Sequence, residues 1–130
     1  MHGSLFDFRC ADCGTPYDDP IDIPREQVPA ITPPECPLCG GLIRPGVVWF
    51  GEALPEHEWQ LAEERMKTAD AVLIVGTSGV VYPAAGLPLM AHAREIPIVE
   101  VTPMRTDLSH LATTVVEDTA ANALPKLLAQ

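Results

Sequence analysis

The chain has 130 residues, room for one domain or for one domain carrying a small lobe. An apolar fraction of 47% supplies a core, yet no apolar run is long enough to span a bilayer, so no membrane is expected. With 18 acidic against 8 basic residues and a net charge of −10, the chain has no basic face for phosphate, which argues against nucleic acid as a partner. In chain order, Met1-His2-Gly3-Ser4 is not followed by the apolar stretch of a secretory leader before Asp7 and Arg9, pointing to a cytoplasmic chain. Ser4 to Arg9 predicts a short strand. It leads into Cys10-Ala-Asp-Cys13, and 22 residues later comes Cys36-Pro-Leu-Cys39. These are the only cysteines, in two Cys-x2-Cys pairs, the donor set of a closed tetrahedral zinc site. Two disulfides, or four unrelated buried thiols, are the alternatives; reducing conditions disfavour the first. A closed site leaves no coordination position for water or substrate, so its zinc would hold structure and perform no chemistry. Gly14, Gly40 and Gly41 follow the pairs, where a knuckle turns with positive φ. Arg9 and Arg44 flank them and could offset thiolate charge.

Between the pairs, Asp18 to Glu35 contains Pro20, Pro24, Pro29, Pro33 and Pro34 and reads as a loop. Pro45-Gly46 then releases Val47-Val48-Trp49-Phe50, read as a buried strand ending at Gly51. From residue 55 the texture changes. A helix begins near Pro55, with Trp59, Ala62, Met66 and Ala69 on one face and Glu63 and Lys67 paired on another. Ala71 to Val75 is a continuous apolar run ending at Gly76, as in parallel strands covered on both faces. A helix after Pro83 runs through Leu89, Met90 and Ala93. Strands at Ile98–Val101 and Thr113–Val116 and a closing helix over Ala120–Leu128 complete the chain. The alternation predicts an α/β fold: a partial Rossmann-type parallel sheet, equivalent to a second half, with a small four-cysteine zinc-ribbon lobe. The organisation read from sequence is 1–52, holding the lobe (about 9–45) and the apolar strand, then 53–130, the half-sheet.

Taken in order, His2-Gly3-Ser4, the two cysteine pairs, Arg44-Pro45-x-Val47-Val48-Trp49-Phe50-Gly51-Glu52, Gly76-Thr77-Ser78 and Val81-Tyr82-Pro83-Ala84-Ala85 resemble the sirtuins. These are NAD-dependent protein lysine deacylases, and the motifs look most like the class III branch. The resemblance runs from residue 2 to about residue 128. It implies His2 as catalytic base, suited by an ordinary imidazole pKa of about 6.5. In that mechanism the acyl-lysine carbonyl oxygen attacks C1′ of the nicotinamide ribose and nicotinamide leaves. The base then deprotonates a ribose hydroxyl, and the products are free lysine and O-acyl-ADP-ribose. The resemblance further implies that Val48, Phe50, Gly51 and Glu52 pair with an extended acyl-lysine peptide, with Val81 and Tyr82 as the opposite wall. Gly76, Thr77, Ser78, Thr102 and Ala120 would meet NAD+, the co-substrate, and Cys10, Cys13, Cys36 and Cys39 would bind structural Zn2+.

Two departures stand out. Thr102 occupies a position where the family usually has Asn, and Asp118-Thr119-Ala120-Ala121 replaces a glycine-rich turn. The family's first-half motifs, including its Gly-Ala-Gly phosphate turn, precede His2 in other members and are not in this sequence. On this reading the chain is a sirtuin fragment that turns over little alone and self-associates through an exposed sheet edge. The alternative is a catalytically inactive, zinc-bearing peptide-binding remnant.

Overall fold

A computed structural model describes residues 1–129. Its contacts divide the chain into two units, Met1–Pro55 and Glu56–Gln130.

The first unit is built on β1 (Gly3–Cys10), which pairs antiparallel with both β2 (Pro16–Tyr17) and β3 (Ile43–Val47), giving the order β2-β1-β3. Cys10, Cys36 and Ile43 are its buried centre, packed by Phe8, Tyr17 and Ile21. The Asp18–Glu35 segment contains no helix, as its prolines dictate.

The strand expected at Val47–Phe50 lies elsewhere: β3 is Ile43–Val47, and Trp49 and Phe50 are exposed. Pro45 falls inside the strand opposite Phe8, which an edge strand tolerates. The pairing shifts between Ser4↔Gly46 and Phe8↔Pro45, so Leu5, Phe6 and Asp7 bulge from β1. Gly3 has φ +75°, and a Cβ there would sit 1.9 Å from the Gly46 carbonyl oxygen. Only glycine lets the two backbones approach this closely.

The second unit begins with α1 (Glu56–Thr68), directly after Pro55. Trp59, Ala62 and Met66 are half-buried along it and Ala69 just beyond it, as the periodicity predicted, though Glu63 is half-buried too. Glu63 and Lys67 do not form an ion pair among the described residues; Gln60 Nε2 donates to Glu56 Oε1 instead, at 3.1 Å. Arg94 donates to the carbonyls of Met66 and Ala69 at 2.9 and 3.0 Å, satisfying orphan acceptors at the end of α1.

Strands β4 (Val72–Val75), β5 (Ile98–Thr102) and β6 (Thr114–Glu117) form a parallel sheet in the order β4-β5-β6. Between β4 and β5 lie a short 3-10 turn (Ala84–Gly86) and α2 (Leu87–His92), and α3 (Ala120–Leu128) follows β6. One sheet face is closed: Val72, Ile74 and Ile98 pack with Ala91, Leu108 and Leu111.

The expectation that β4 is covered on both faces does not hold within this unit. Leu73 is 47% and Val75 36% exposed. Side chains alternate along a strand, and β4 lies at the end of the strand order, whereas α3 packs on β5. Within this unit the outer sides of both β4 and β6 are unpaired.

Candidate metal centre and flanking turns

Four sulfurs converge in the first unit. The Sγ atoms of Cys10, Cys13, Cys36 and Cys39 lie within 4.8 Å of one another. Cys10–Cys39 is 3.4 Å and Cys13–Cys36 is 3.8 Å. All four are free thiols, so the disulfide alternative is ruled out. Zn–S bonds of about 2.3 Å at tetrahedral angles require sulfurs about 3.8 Å apart, which this cluster matches.

The two pairs are folded alike. Gly14 N donates to Cys10 O at 3.2 Å, and Gly40 N to Cys36 O at 2.8 Å. Both glycines hold φ near +74°, where a Cβ would be strained. The amides of Asp12 and Gly41 point at Cys10 and Cys39 sulfur, 3.4 Å away in each case. Hydrogen bonding with Thr15, through its side chain and then its backbone, holds the Cys13 thiol down at about 6. Cys39 is lowered by the Gly41 amide but pushed further up by the neighbouring thiols, to about 12. Four crowded thiols cannot all ionise on their own; a divalent cation resolves that conflict. The donor set therefore fits Zn2+, held by four cysteines with no open position.

Beyond the cluster, β3 runs into a turn with an internal clasp. Arg44 forms a bidentate ion pair with Glu52, its second contact at 3.1 Å, and donates to Val47 O at 2.9 Å. Its guanidinium stacks over the Trp49 ring at 3.8 Å. Glu52 also accepts from Trp49 N at 2.9 Å, while Glu52 N donates to Trp49 O at 3.0 Å. Arg44 is thus committed to Glu52, a correction to its expected part in offsetting thiolate charge. Sequence reading missed this clasp; the eight-residue separation of Arg44 and Glu52 carries no helical or strand periodicity that would signal it.

The side-chain hydrogen bond from Arg44, then the Trp49 amide, holds the Glu52 carboxyl at about 2, below its ordinary 4.5. A depressed carboxyl adds stability above its unfolded pKa and loses it as pH falls through the folded one. The clasp should therefore persist from pH 7 to about pH 4 and open as pH approaches 2. The Trp49 backbone amide, followed by NMR, should stay unshifted from pH 7 down to about pH 4.5; a titration with a midpoint near 4.5 would show that the clasp is absent.

His2 is exposed, and its carbonyl accepts from Val48 N at 2.9 Å. This bond brings the expected base and the expected peptide-pairing segment together. Phe50 is 93% exposed, and Gly51 has φ +88°.

In the second unit, Gly76, Thr77 and Ser78 lie exposed at the carboxyl end of β4. Gly76 has φ +59° and donates to Val101 O at 3.1 Å. Val81 and Tyr82 are also exposed. Thr102 is 4% exposed, and its hydroxyl is spent on Met104 O at 2.6 Å. Ala120 opens α3 beneath the Thr119 cap, whose hydroxyl accepts from Asn122 N at 3.4 Å. Asp118 accepts from the Asn122 side chain and the Thr119 amide, which hold its carboxyl below the usual range. Asp118 thus braces the turn that leads into α3, which Thr119 caps.

Sequence reading also missed Glu100, which is fully buried on β5 and accepts from the hydroxyls of Thr106 and Ser109. An acid inside an apolar strand was its only signal.

Comparison with known proteins follows the same lines. The sequence model described as "Sir2 family" matches residues 1–83. NAD-dependent protein deacylase 2 of Corynebacterium efficiens is 59% identical over 128 residues, covering 98% of this chain and 50% of the relative. The NAD-dependent protein deacylase of Mycobacterium tuberculosis strain H37Rv is 52% identical over 128 residues, covering 98% and 54%. The chain thus spans about half the length of the curated relatives it matches. A Sir2 homolog–NAD complex superposes with a TM-score of 0.84 at 37% identity, covering 98% of this chain and 48% of that one. Sir2Tm bound to a propionylated peptide gives 0.81 at 26% identity, covering 99% and 54%. Among the described residues no helix is long and apolar enough to cross a membrane.

Proposed function

The chain belongs to the Sir2 family, and from that we propose that it carries the general-base, peptide-recognition and zinc-binding portion of an NAD-dependent protein lysine deacylase. The observation that carries the reading is the Val48 N–His2 O bond. It anchors the proposed base to the segment proposed to pair with substrate, on a sheet whose other end is closed by the four thiols.

In this proposal the main chain of Val48, Phe50 and Gly51 pairs with an extended acyl-lysine peptide, and Glu52 holds that turn through Arg44. Val81 and Tyr82, exposed in the second unit, are proposed as further peptide-contacting residues. NAD+ enters as co-substrate. Gly76, Thr77 and Ser78, at the carboxyl end of a parallel strand in the second half of a Rossmann-type sheet, meet its ribose and phosphates, and Ala120 approaches its adenine. Thr102, with its hydroxyl engaged, contributes only its backbone and shape. His2 accepts the proton of the attacking ribose hydroxyl; Zn2+ braces the fold and takes no part in chemistry. Turnover requires the residues that make up the other half of the relatives. The cytoplasm as location and self-association through the open edge of β4 belong to the same reading.

The test is a titration of the chain with a peptide bearing acetyl-lysine, followed by amide NMR. Shifts at Val48–Glu52, with unmodified lysine binding at least about tenfold more weakly, are expected. Equal response to both peptides would refute selection of the acyl group.

A further inference from the structure

The segment Val48–Glu52 lies past Gly3↔Val47, the last pair of the β1–β3 ladder, so no strand partner fixes its shape. Its main chain is tied at two points: Val48 N donates to His2 O at 2.9 Å, and Glu52 N donates to Trp49 O at 3.0 Å. Phe50 is exposed, and Gly51 sits at φ +88°, a region that only glycine enters freely. With those bonds alone, such a stretch samples many conformations.

Arg44 supplies the missing constraint. It stands inside β3, one residue after the buried Ile43, and its side chain is only 14% exposed. From there a single guanidinium reaches three parts of the turn. Nη1 and Nη2 both donate to the Glu52 carboxylate, and Nη2 also donates to Val47 O at 2.9 Å. The guanidinium carbon lies 3.8 Å from the centre of the Trp49 ring. Glu52 passes the constraint on by accepting from Trp49 N at 2.9 Å. Arg44 Nε is buried with no partner among the described residues, so the fork is placed for the turn and not for its own full pairing. Every one of these residues belongs to the first unit.

We propose that Arg44 is a positioning residue for the substrate peptide: it sets the shape of Val48–Glu52 before the peptide arrives and does not itself touch it. The assignment rests on the peptide reading above and names the side chain that keeps that surface ordered. A surface ordered in advance spares the peptide the cost of ordering it, so loss of the clasp should weaken binding about tenfold. Charge alone does not suffice. A lysine ammonium cannot fork onto both carboxylate oxygens, reach Val47 O and lie flat on an indole together.

The experiment titrates the full chain and its Arg44→Lys, Arg44→Met and Glu52→Gln variants with an acetyl-lysine peptide, followed by amide NMR, with zinc content measured alongside. All three variants should keep their zinc and the amide shifts of Gly3–Cys10. Their Trp49, Phe50 and Gly51 amides should exchange faster with solvent, and each should bind the peptide about tenfold more weakly. Undiminished affinity in Arg44→Met or in Arg44→Lys would overturn the proposal. Affinity lost only in variants that also lose zinc or shift the β1 amides would overturn it too, since Arg44 would then serve the fold alone. An unsubstituted chain that does not prefer acetyl-lysine to lysine would instead overturn the peptide reading on which the proposal stands.

Discussion

Cys36→Ser should strip the metal from the first unit and unfold it. Cys36 is 4% exposed at the centre of the small core, where only Cys10 and Ile43 are also buried. A core this size contributes little stability by itself, so the unit depends on a metal staple. Tetrathiolate zinc supplies about 10–16 kcal/mol of apparent binding free energy, and a serine hydroxyl is a far weaker ligand. Elemental analysis should fall from one zinc per chain to near none, and the dispersed amide signals of residues 1–55 should collapse. Full zinc content with an unchanged spectrum would show that the thiols do not hold the unit together.

Gly3→Ala should detach the amino-terminal end of β1 from β3. The new methyl would meet the Gly46 carbonyl oxygen at 1.9 Å and the Val47 Cα at 3.1 Å, both backbone atoms that no rotamer change can clear. The positive φ of Gly3 adds about 1–2 kcal/mol of strain for any L side chain. Together these exceed what a strand end can absorb, about 3 kcal/mol or more locally. The Gly3↔Val47 pairing and the Val48 N–His2 O bond should both be lost, while the sulfur cluster at the other end of the sheet stays formed. Fast solvent exchange of the Val48 amide with unchanged zinc content is the expected signature; a protected Val48 amide would mean that the backbone can accommodate the methyl group.

How much of this was legible in the sequence depended on how local the signal was. The Cys-x2-Cys pairs declare their chemistry by spacing, and the sulfurs do converge. The residues of α1 and α3 and the three parallel strands announce themselves by period and by apolar runs, to within a residue or two. Errors arose where the outcome depends on pairing between distant segments. Pro45-Gly46 looked like an interruption, yet an edge strand passes through it and ends at Val47, beyond which Trp49 and Phe50 emerge into the open. The run over Val72–Val75 reads as buried on both sides, but burial is set by which layers cover it. Arg44, Glu52 and Glu100 gave no periodic signal at all; their roles exist only once the turns around them close. The individual site residues followed from family resemblance, since an exposed His2 or a lone Gly-Thr-Ser carries little meaning apart from the order of motifs around it.

The most direct measurement of the central claim joins this chain to the amino-terminal half of the Corynebacterium efficiens relative and supplies NAD+ with an acetyl-lysine peptide. Mass spectrometry should find free lysine, nicotinamide and an acetyl group on ADP-ribose, all lost in His2→Ala while the protein keeps its zinc and fold. Deacetylation without NAD+, or turnover undiminished in His2→Ala, would contradict it.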